Sequence, residues 1–432
     1  MATRPVARGE RLLTVPETLL MTAESAARGQ SVGDSAVAAA VRRGELSEWQ
    51  AVCAHAAEER RLGERSFWAP YLATLPPQDV HPLSWSAPAL DGLLGARSPM
   101  RQAIAERQET VAADAEAIAA AGCGVSAEEV RWAAATLLSR SFELGADGGF
   151  GGSDPREMLS GAPGARLALA PIADALNHSS AAEAEVEWAP APHERFAELV
   201  AGRKWAKGEQ VFFCYAEGMA PCDLFGEYAF VEPEGAQALD AVDLDISELQ
   251  PHGRGCPRAG ALLGAARDVL LCGAARVDVS GSRGVDVMRL LGAGAYGAAS
   301  DALAAARLAA AVEEDLHAAG APGDAAAEGA GLAALRAFAS PVSRGNELRA
   351  LGALVGALES LAADAPDESA AAAAGVPPHV VAAALSARRS ERRAAAGAAA
   401  LFNEWRERLE GGAGLAELYG LDEDSSSDDD WP

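Results

Sequence analysis

The sequence has 432 residues, of which half are hydrophobic, and its 62 acidic and 36 basic residues give a net charge of -26. This length allows a sizeable core and two or three domains, while the negative charge argues against a general nucleic-acid binder and favours a protein partner with a basic segment. No apolar run approaches the roughly 20 residues that span a bilayer, and no signal peptide is visible, so we expect a soluble protein without a membrane partner.

The cysteines indicate a reducing compartment. They are scattered, with no C-x-x-C pair and no histidine at zinc spacing, which argues against a structural zinc site and a disulfide framework. We therefore expect no metal. The six positions are Cys53, Cys123, Cys214, Cys222, Cys256 and Cys272.

The first predicted element is a strand over Arg11–Pro16, an apolar run closed by proline. It needs a partner strand, which comes either from far along the sequence or from a missing N-terminal piece. From about Ser35 to Gly122 the pattern becomes helical. Within that region, Glu64–Pro77 holds three aromatic residues within five positions, and we interpret it as a packing node of the core.

A further helix is predicted after Ser126, which forms an S-x-x-E capping box with Glu129 and precedes apolar residues at helical spacing. It leads into Ser139–Phe142. The Gly-rich segment Gly145–Gly164 has strand-like flanks, which disfavours a phosphate-binding loop and indicates a surface loop.

The run Pro171–Ser179 follows a predicted strand over Leu167–Ile172 and holds Asn177, one of three asparagines in the chain, beside His178. Both side chains donate and accept hydrogen bonds, which suits a pocket for a polar heterocycle. Three alternatives stay open at this point: a glycosylation acceptor, a helical metal pair of Asp174 with His178, and a histidine satisfied in the core.

Two tyrosines follow. Strands over Phe196–Val200 and Gln210–Tyr215, joined by a turn at Lys207–Glu209, would place Tyr215 at the end of a buried face, and Tyr228 comes shortly after. Beyond Pro233 the pattern is helical. The acidic run Asp422–Asp430 cannot bury apolar area and is predicted to be disordered.

In this order, the motifs resemble the SET-domain protein methyltransferases of the plant Rubisco large-subunit lysine methyltransferase type. Ala7–Pro16 resembles the first SET strands, and Pro171–Ser179 and Glu227–Pro233 resemble the second half of that domain. Pro341–Leu348 and Arg389–Glu404 are similar to the family's helical substrate-binding domain.

The resemblance implies an α+β fold: a β-rich SET domain split by a helical insertion and followed by an all-α C-terminal domain. The expected boundaries are 1–34 for the N-terminal part of the SET domain, 35–128 for the insertion, 129–234 for the C-terminal part, 235–420 for the substrate-binding domain and 421–432 for the acidic tail.

It further implies a protein-lysine N-methyltransferase that uses S-adenosylmethionine on a non-histone protein. Arg140, Asp174, Asn177 and His178 would contact the cofactor together with Tyr215, the catalytic tyrosine, and Tyr228 would line the lysine channel. Two alternatives are a SET-like binding module with impaired catalysis and a protein-histidine methyltransferase.

The family also has a Gly-containing cofactor segment upstream of its first strand. Here that segment would precede Met1, so we expect either an incomplete gene product or a cofactor site that lacks one wall. The compartment, chloroplast or cytoplasm, and the oligomeric state are left open.

Overall fold

A computed structural model gives the fold, and it describes residues 1–77, 80–144, 150–151, 166–182, 186–189, 196–215, 219–233, 239–249, 256–268, 274–280, 302–366 and 375–419. The predicted acidic tail and all of the Gly-rich loop except Phe150–Gly151 lie outside these ranges. Within them, no helix is both long and apolar enough to cross a bilayer.

The helices and strands alternate unevenly along the chain. The helices are α1 (Ala23–Arg28), α2 (Ala36–Arg42), α3 (Glu48–Leu62), α4 (Ala69–Leu72), α5 (Ala87–Leu94), α6 (Pro99–Ala120), α7 (Ala127–Arg140), α8 (Pro221–Tyr228), α9 (Pro257–Arg267), α10 (Ala302–Ala309), α11 (Glu313–Ala318), α12 (Ala330–Ala337), α13 (Arg344–Ala363), α14 (Pro378–Glu410) and α15 (Leu415–Tyr419). The strands are β1 (Arg11–Pro16), β2 (Ser141–Leu144), β3 (Phe150–Gly151), β4 (Arg166–Leu169), β5 (Asn177–His178), β6 (Val186–Ala189), β7 (Phe196–Ala201), β8 (Phe212–Phe213), β9 (Leu239–Asp245) and β10 (Ala274–Ser280). The α+β class is thereby confirmed.

The strands β1 to β8 of the first half of the chain form three small sheets. Strand β1 lies antiparallel to β7, with Thr14 opposite Glu198, and β7 also pairs with β6. Strand β2 lies between β3 and β4, and β5 runs parallel to β8. The partner of β1 therefore comes from far along the sequence, which was one of the two options that its position left open.

The predicted pairing of the strands at 196–200 and 210–215 is wrong. Strand β7 pairs with β1 and β6, whereas β8 pairs with β5. The segment between them bonds to the N-terminus instead: Gly208 N donates to Ala2 O at 2.7 Å, and Ala2 N donates to Glu209 O at 2.8 Å. Because these backbone groups are already paired, the turn cannot close a hairpin.

The helical reading of 35–122 is confirmed by α2 to α6, and the predicted capping box at Ser126 and Glu129 begins α7. Helices α3 and α7 are buried on nearly all sides, in a common core that includes Trp49, Trp68 and Trp132. Packing in this core fixes the C-terminal end of α7, which forms one wall of the candidate site described below.

The C-terminal region needs one correction, because it is not all helical. Strands β9 and β10 form a two-stranded antiparallel sheet in which Val242 faces Val277. Charged and apolar residues alternate in Asp243–Asp245 and Arg276–Asp278, which indicates strands. The many alanines around them have a high helix propensity, so the sequence favours helices there.

Helix α14 connects the C-terminal helices to the helical insertion. Arg388 is fully buried in it, and its guanidinium donates to Glu391 Oε2 at 2.6 Å and to the carbonyl of Asp364 at 2.7 Å. Glu391 in turn accepts from Ser98 Oγ at 2.7 Å and from Met100 N at 3.1 Å, which are at the start of α6. These charge-assisted bonds fix the C-terminal helices against the insertion.

Candidate active site

A cleft of about 430 Å³, counted with the open solvent at its mouth, lies where α7 passes into β2 and where the chain leaves β8. A short 3-10 turn, Ala173–Ala175, forms the opposite wall. The lining residues are Leu138, Ser139, Arg140, Ser141, Phe142, Ala173, Asp174, Leu176, Phe213, Tyr215 and Tyr228. Four of the six residues assigned to the site from the sequence, Arg140, Asp174, Tyr215 and Tyr228, thus meet here.

Asp174 is held on one side of the cleft by two partners. Tyr71 donates its hydroxyl proton to Asp174 Oδ2 at 2.8 Å, and Arg140 Nη1 lies 3.1 Å from the Asp174 carbonyl oxygen and 3.4 Å from Oδ2. Burial raises the pKa of Asp174, while the bonds from Tyr71 and Arg140 oppose that shift. The carboxyl group is therefore fixed in position by neighbours on both sides.

Arg140 keeps one donor unused. Its Nε is buried and has no hydrogen-bond partner in the part of the chain that the structure describes. A buried donor of this kind costs free energy unless a ligand or water satisfies it. A hydrogen-bond acceptor on a water or a ligand that reaches this nitrogen would satisfy it.

Tyr215 and Tyr228 stand side by side at the other end of the cleft, with ring centroids 4.9 Å apart and planes inclined by 47°. The Tyr215 hydroxyl donates to the carbonyl of Leu176 at 2.7 Å. Burial raises the pKa of Tyr215 to about 12, so the phenol stays protonated at neutral pH. The hydroxyl oxygen is therefore neutral, and because its proton points to Leu176, its lone pairs can accept a hydrogen bond from another group.

His178 lies behind Tyr215 and does not line the cleft. Its Nδ1 accepts from Tyr215 N at 3.1 Å, and its Nε2 lies 3.4 Å from Ser180 Oγ and 3.7 Å from Glu232 Oε2. Burial lowers the pKa of the imidazole, and Glu232 opposes the shift. This is the satisfied core histidine that the sequence left open, and it holds the Tyr215 backbone in place.

Asn177 is exposed and also lies outside the cleft lining. Residues 177–178 form a strand, not a helix, so the helical spacing of Asp174 and His178 has no meaning here and the metal-pair alternative is wrong. Whether Asn177 and His178 contact a ligand, as the resemblance implies, stays a prediction.

Two residues of the site were missed. Tyr71 was interpreted as part of a packing node, but its hydroxyl reaches Asp174 over a sequence separation of 103 residues. Glu232 accepts from Ser180 N at 3.0 Å and faces His178. For Tyr71 the signal was available, because a buried tyrosine usually finds a partner for its hydroxyl; for Glu232 the sequence offers none.

Ile172 marks the turn into the cleft wall. Its φ of 73° lies in the left-handed region, which a β-branched residue rarely adopts, and its side chain is 69% exposed. Strained backbone of this kind is found at functional sites. Here it redirects the chain between β4 and the turn that carries Asp174.

Comparison with known proteins places this architecture among the SET domains. The SET domain family model matches residues 1–216, and the chain belongs to that family. It is 27% identical over 261 residues to human SET domain-containing protein 4, a match that spans 57% of this chain and about half, 54%, of that relative.

Solved structures of similar fold include Rubisco LSMT bound to AdoMet, at 20% identity and a TM-score of 0.64, covering 95% of this chain and 86% of that one. The SET domain of LSMT bound to lysine and AdoHcy matches with 19% identity and a TM-score of 0.65, covering 95% and 85%. At these identities the likeness shows the fold, which the sequence had indicated.

Proposed function

We propose that this protein is a protein-lysine N-methyltransferase that uses S-adenosylmethionine. The observation that carries the proposal is the cleft itself, which is lined by two adjacent phenols, an arginine with an unpartnered buried donor and a fixed carboxyl group. The SET family and the structures of similar fold, which were solved with AdoMet or with lysine and AdoHcy bound, support the same chemistry.

The residues present fit the cofactor. The unpartnered Nε of Arg140 offers a buried donor, and Asp174 offers an acceptor that is already oriented. Asn177 and the backbone of His178 would complete the contacts from the adjoining strand. When bound, S-adenosylmethionine supplies a methyl group on a cationic sulfonium, which aromatic faces such as those of Tyr215 and Tyr228 attract.

The two tyrosines would align the substrate. Methyl transfer needs an amine in line with the methyl group more than it needs a strong base. Because the proton of the Tyr215 hydroxyl goes to Leu176, the oxygen can accept from the substrate amine, and with a pKa of about 12 the phenol does not act as a base near neutral pH. The lysine amine must be neutral to react, and its removal from water lowers its pKa, which favours the neutral form.

The substrate would be a protein with a lysine in a basic segment. The net charge of -26 attracts such a segment and speeds its association at low salt. A non-histone substrate and a lysine target are both part of this proposal. Mass spectrometry of the methylated peptide decides between lysine and histidine.

The decisive experiment removes each phenol in turn. Transfer of labelled methyl from S-adenosylmethionine to basic lysine-containing peptides should fall about 100-fold in Tyr215→Phe, because misalignment of the reacting atoms has a cost of that order. Tyr228→Phe should chiefly raise KM for the peptide. Tyr419→Phe, in α15, is the matched control and should keep full activity.

Two results would contradict these roles. If Tyr228→Phe lost the activity and Tyr215→Phe kept it, the two tyrosines would exchange roles. If calorimetry showed no binding of S-adenosylmethionine to the folded wild-type chain, the enzyme proposal would fail, and the binding-module alternative would stand.

A further inference from the structure

A second cluster of chemically active side chains lies away from the cleft, in the core around α3. His55, Glu58 and Glu59 occupy one face of that helix, since residues three and four apart are neighbours. Their exposed fractions are 1%, 7% and 1%. One ligand atom from each lies within 4.8 Å of those of the other two.

The hydrogen bonds around His55 fix which ring nitrogen carries the proton. Ser25 Oγ donates to the carbonyl of Thr22 at 2.9 Å, so its proton is already used. At 3.1 Å from His55 Nε2, the Ser25 oxygen must therefore accept, and Nε2 carries the hydrogen. It follows that Nδ1 bears a lone pair.

That lone pair has no partner. His55 Nδ1 is buried, has no hydrogen-bond partner among the described residues, and faces Glu59 Oε1 at 3.9 Å. A nitrogen lone pair that points at a carboxylate oxygen is repelled by it. A cation between the two atoms would attract both.

Serine hydroxyls hold the two carboxylates by their other oxygen. Ser31 and Ser66 donate to Glu59 Oε2 at 2.5 and 2.6 Å, and Ser35 donates to Glu58 Oε2 at 2.9 Å. Hydrogen bonds that orient ligands from outside are typical of metal sites in proteins.

The charge in this cluster is compensated only in part. Within the ranges that the structure covers, no Lys or Arg forms an ion pair with either carboxylate at 4.0 Å or less, and Arg61 attracts Glu58 only from a greater distance. Two buried carboxylates are costly without a cation, and a divalent ion would balance both.

We propose that His55, Glu58 and Glu59 bind a divalent first-row transition cation, for which zinc is the probe. One imidazole nitrogen with carboxylate oxygens is a ligand set that such ions accept. Because the site is buried and its serines come from separate segments, the ion would be structural: it would connect α3 to α1 through Ser25 and to the segments that carry Ser31, Ser35 and Ser66.

The sequence-based expectation of no metal rested on the spacing of the cysteines. A histidine with two glutamates on one helix is a pattern that is common on solvated helices. What distinguishes this case is burial together with the serine hydroxyls, which the sequence does not show.

The experiment measures metal in the untagged full-length protein. After removal of bound ions with a chelator and addition of zinc, elemental analysis should find one zinc per chain in wild type and in His81→Gln, a control in which the lost imidazole has both ring nitrogens paired. Glu59→Gln, which keeps the shape of the side chain, and His55→Gln should lose it. Zinc should raise the melting temperature of wild type but of neither variant.

Two further readouts keep the test independent of folding. Ser66→Ala removes one bond to Glu59 and should weaken zinc binding about 10-fold to 100-fold, the usual cost of losing an outer hydrogen bond. The X-ray absorption spectrum of the zinc should show only nitrogen and oxygen ligands. The proposal is overturned if zinc is not retained by wild type, if Glu59→Gln retains it fully, or if sulfur appears among the ligands.

Discussion

The buried pair of Arg307 and Glu347 gives the sharpest stability prediction. Both are at most 1% exposed, and the guanidinium of Arg307 bonds the carboxylate through Nε at 2.8 Å and Nη2 at 3.0 Å. We expect Glu347→Gln, which keeps the shape and removes the charge, to destabilise the C-terminal helices strongly. The reason is that a charge would be left buried and uncompensated.

The magnitude follows from what Arg307 retains. Removing one partner of a buried ion pair costs about 3–5 kcal/mol. Arg307 Nη1 still donates to the carbonyls of Phe338 and Ala339, at 3.3 and 2.7 Å, so we expect the lower end of that range, about 3 kcal/mol. Replacing both residues, as Arg307→Met with Glu347→Leu, should recover part of the loss but leave these carbonyls unpaired.

Amide hydrogen exchange of α13 in the full chain measures this free energy locally, because exchange in a buried helix reports the opening of its unit. Asp34→Asn, in the exposed pair of Asp34 with Arg42, is the matched control and should cost about 0.5 kcal/mol or less. A loss below about 1 kcal/mol in Glu347→Gln would refute the reasoning, because burial of the uncompensated charge would then have almost no cost.

Three further predictions follow from single contacts. Tyr71→Phe removes a bond to Asp174 and should weaken S-adenosylmethionine binding about fivefold by calorimetry, whereas unchanged affinity would separate Tyr71 from the site. Burial lowers the pKa of His81 from 6.5 to about 4, so between these values the unfolded chain binds a proton at His81 that the folded chain does not; as pH falls through this window, His81→Gln should lose up to about 3 kcal/mol less stability in urea than wild type, and an equal loss in both would contradict the prediction. Gly331→Ala places a Cβ 2.1 Å from a backbone oxygen of α9 and should cost about 1–3 kcal/mol, whereas Gly352→Ala, with open space around it, should stabilise α13; equal melting temperatures would argue against the clash.

The elements with local signals were the ones that the sequence predicted well. The capping box at Ser126 and Glu129 begins α7 because both bonds form within four residues, and the helices of 35–122 follow from their own periodicity. The domain boundaries stay a prediction.

Long-range pairings could not be predicted. The bonds of Ala2 to Gly208 and Glu209, which prevent the expected hairpin, join residues from distant parts of the sequence. Strands β9 and β10 were hidden because a few alternating residues compete with many alanines. Propensity is a weak guide where tertiary pairing decides.

The residues of the candidate site could be predicted only in part, because the position of some side chains depends on long-range strand pairing. Arg140, Asp174, Tyr215 and Tyr228 stand out as rare or well-placed residues, and they meet in one cleft. The position of the His178 ring depends on the direction of the strand, which no local pattern reveals.

The distance along the chain between β1 and β7 also sets the order of events during synthesis. At about 5–20 residues per second, roughly 10–40 s pass between the emergence of Pro16 and that of its partner Phe196. In that interval the helices from α1 to α7 can fold on local contacts, while the edge of β1 stays open. The cleft closes only after Tyr228 has followed, so the reactive end of the site is among the last parts of the SET region to form. A nascent chain that stalls before β7 should therefore be a chaperone substrate with a folded insertion.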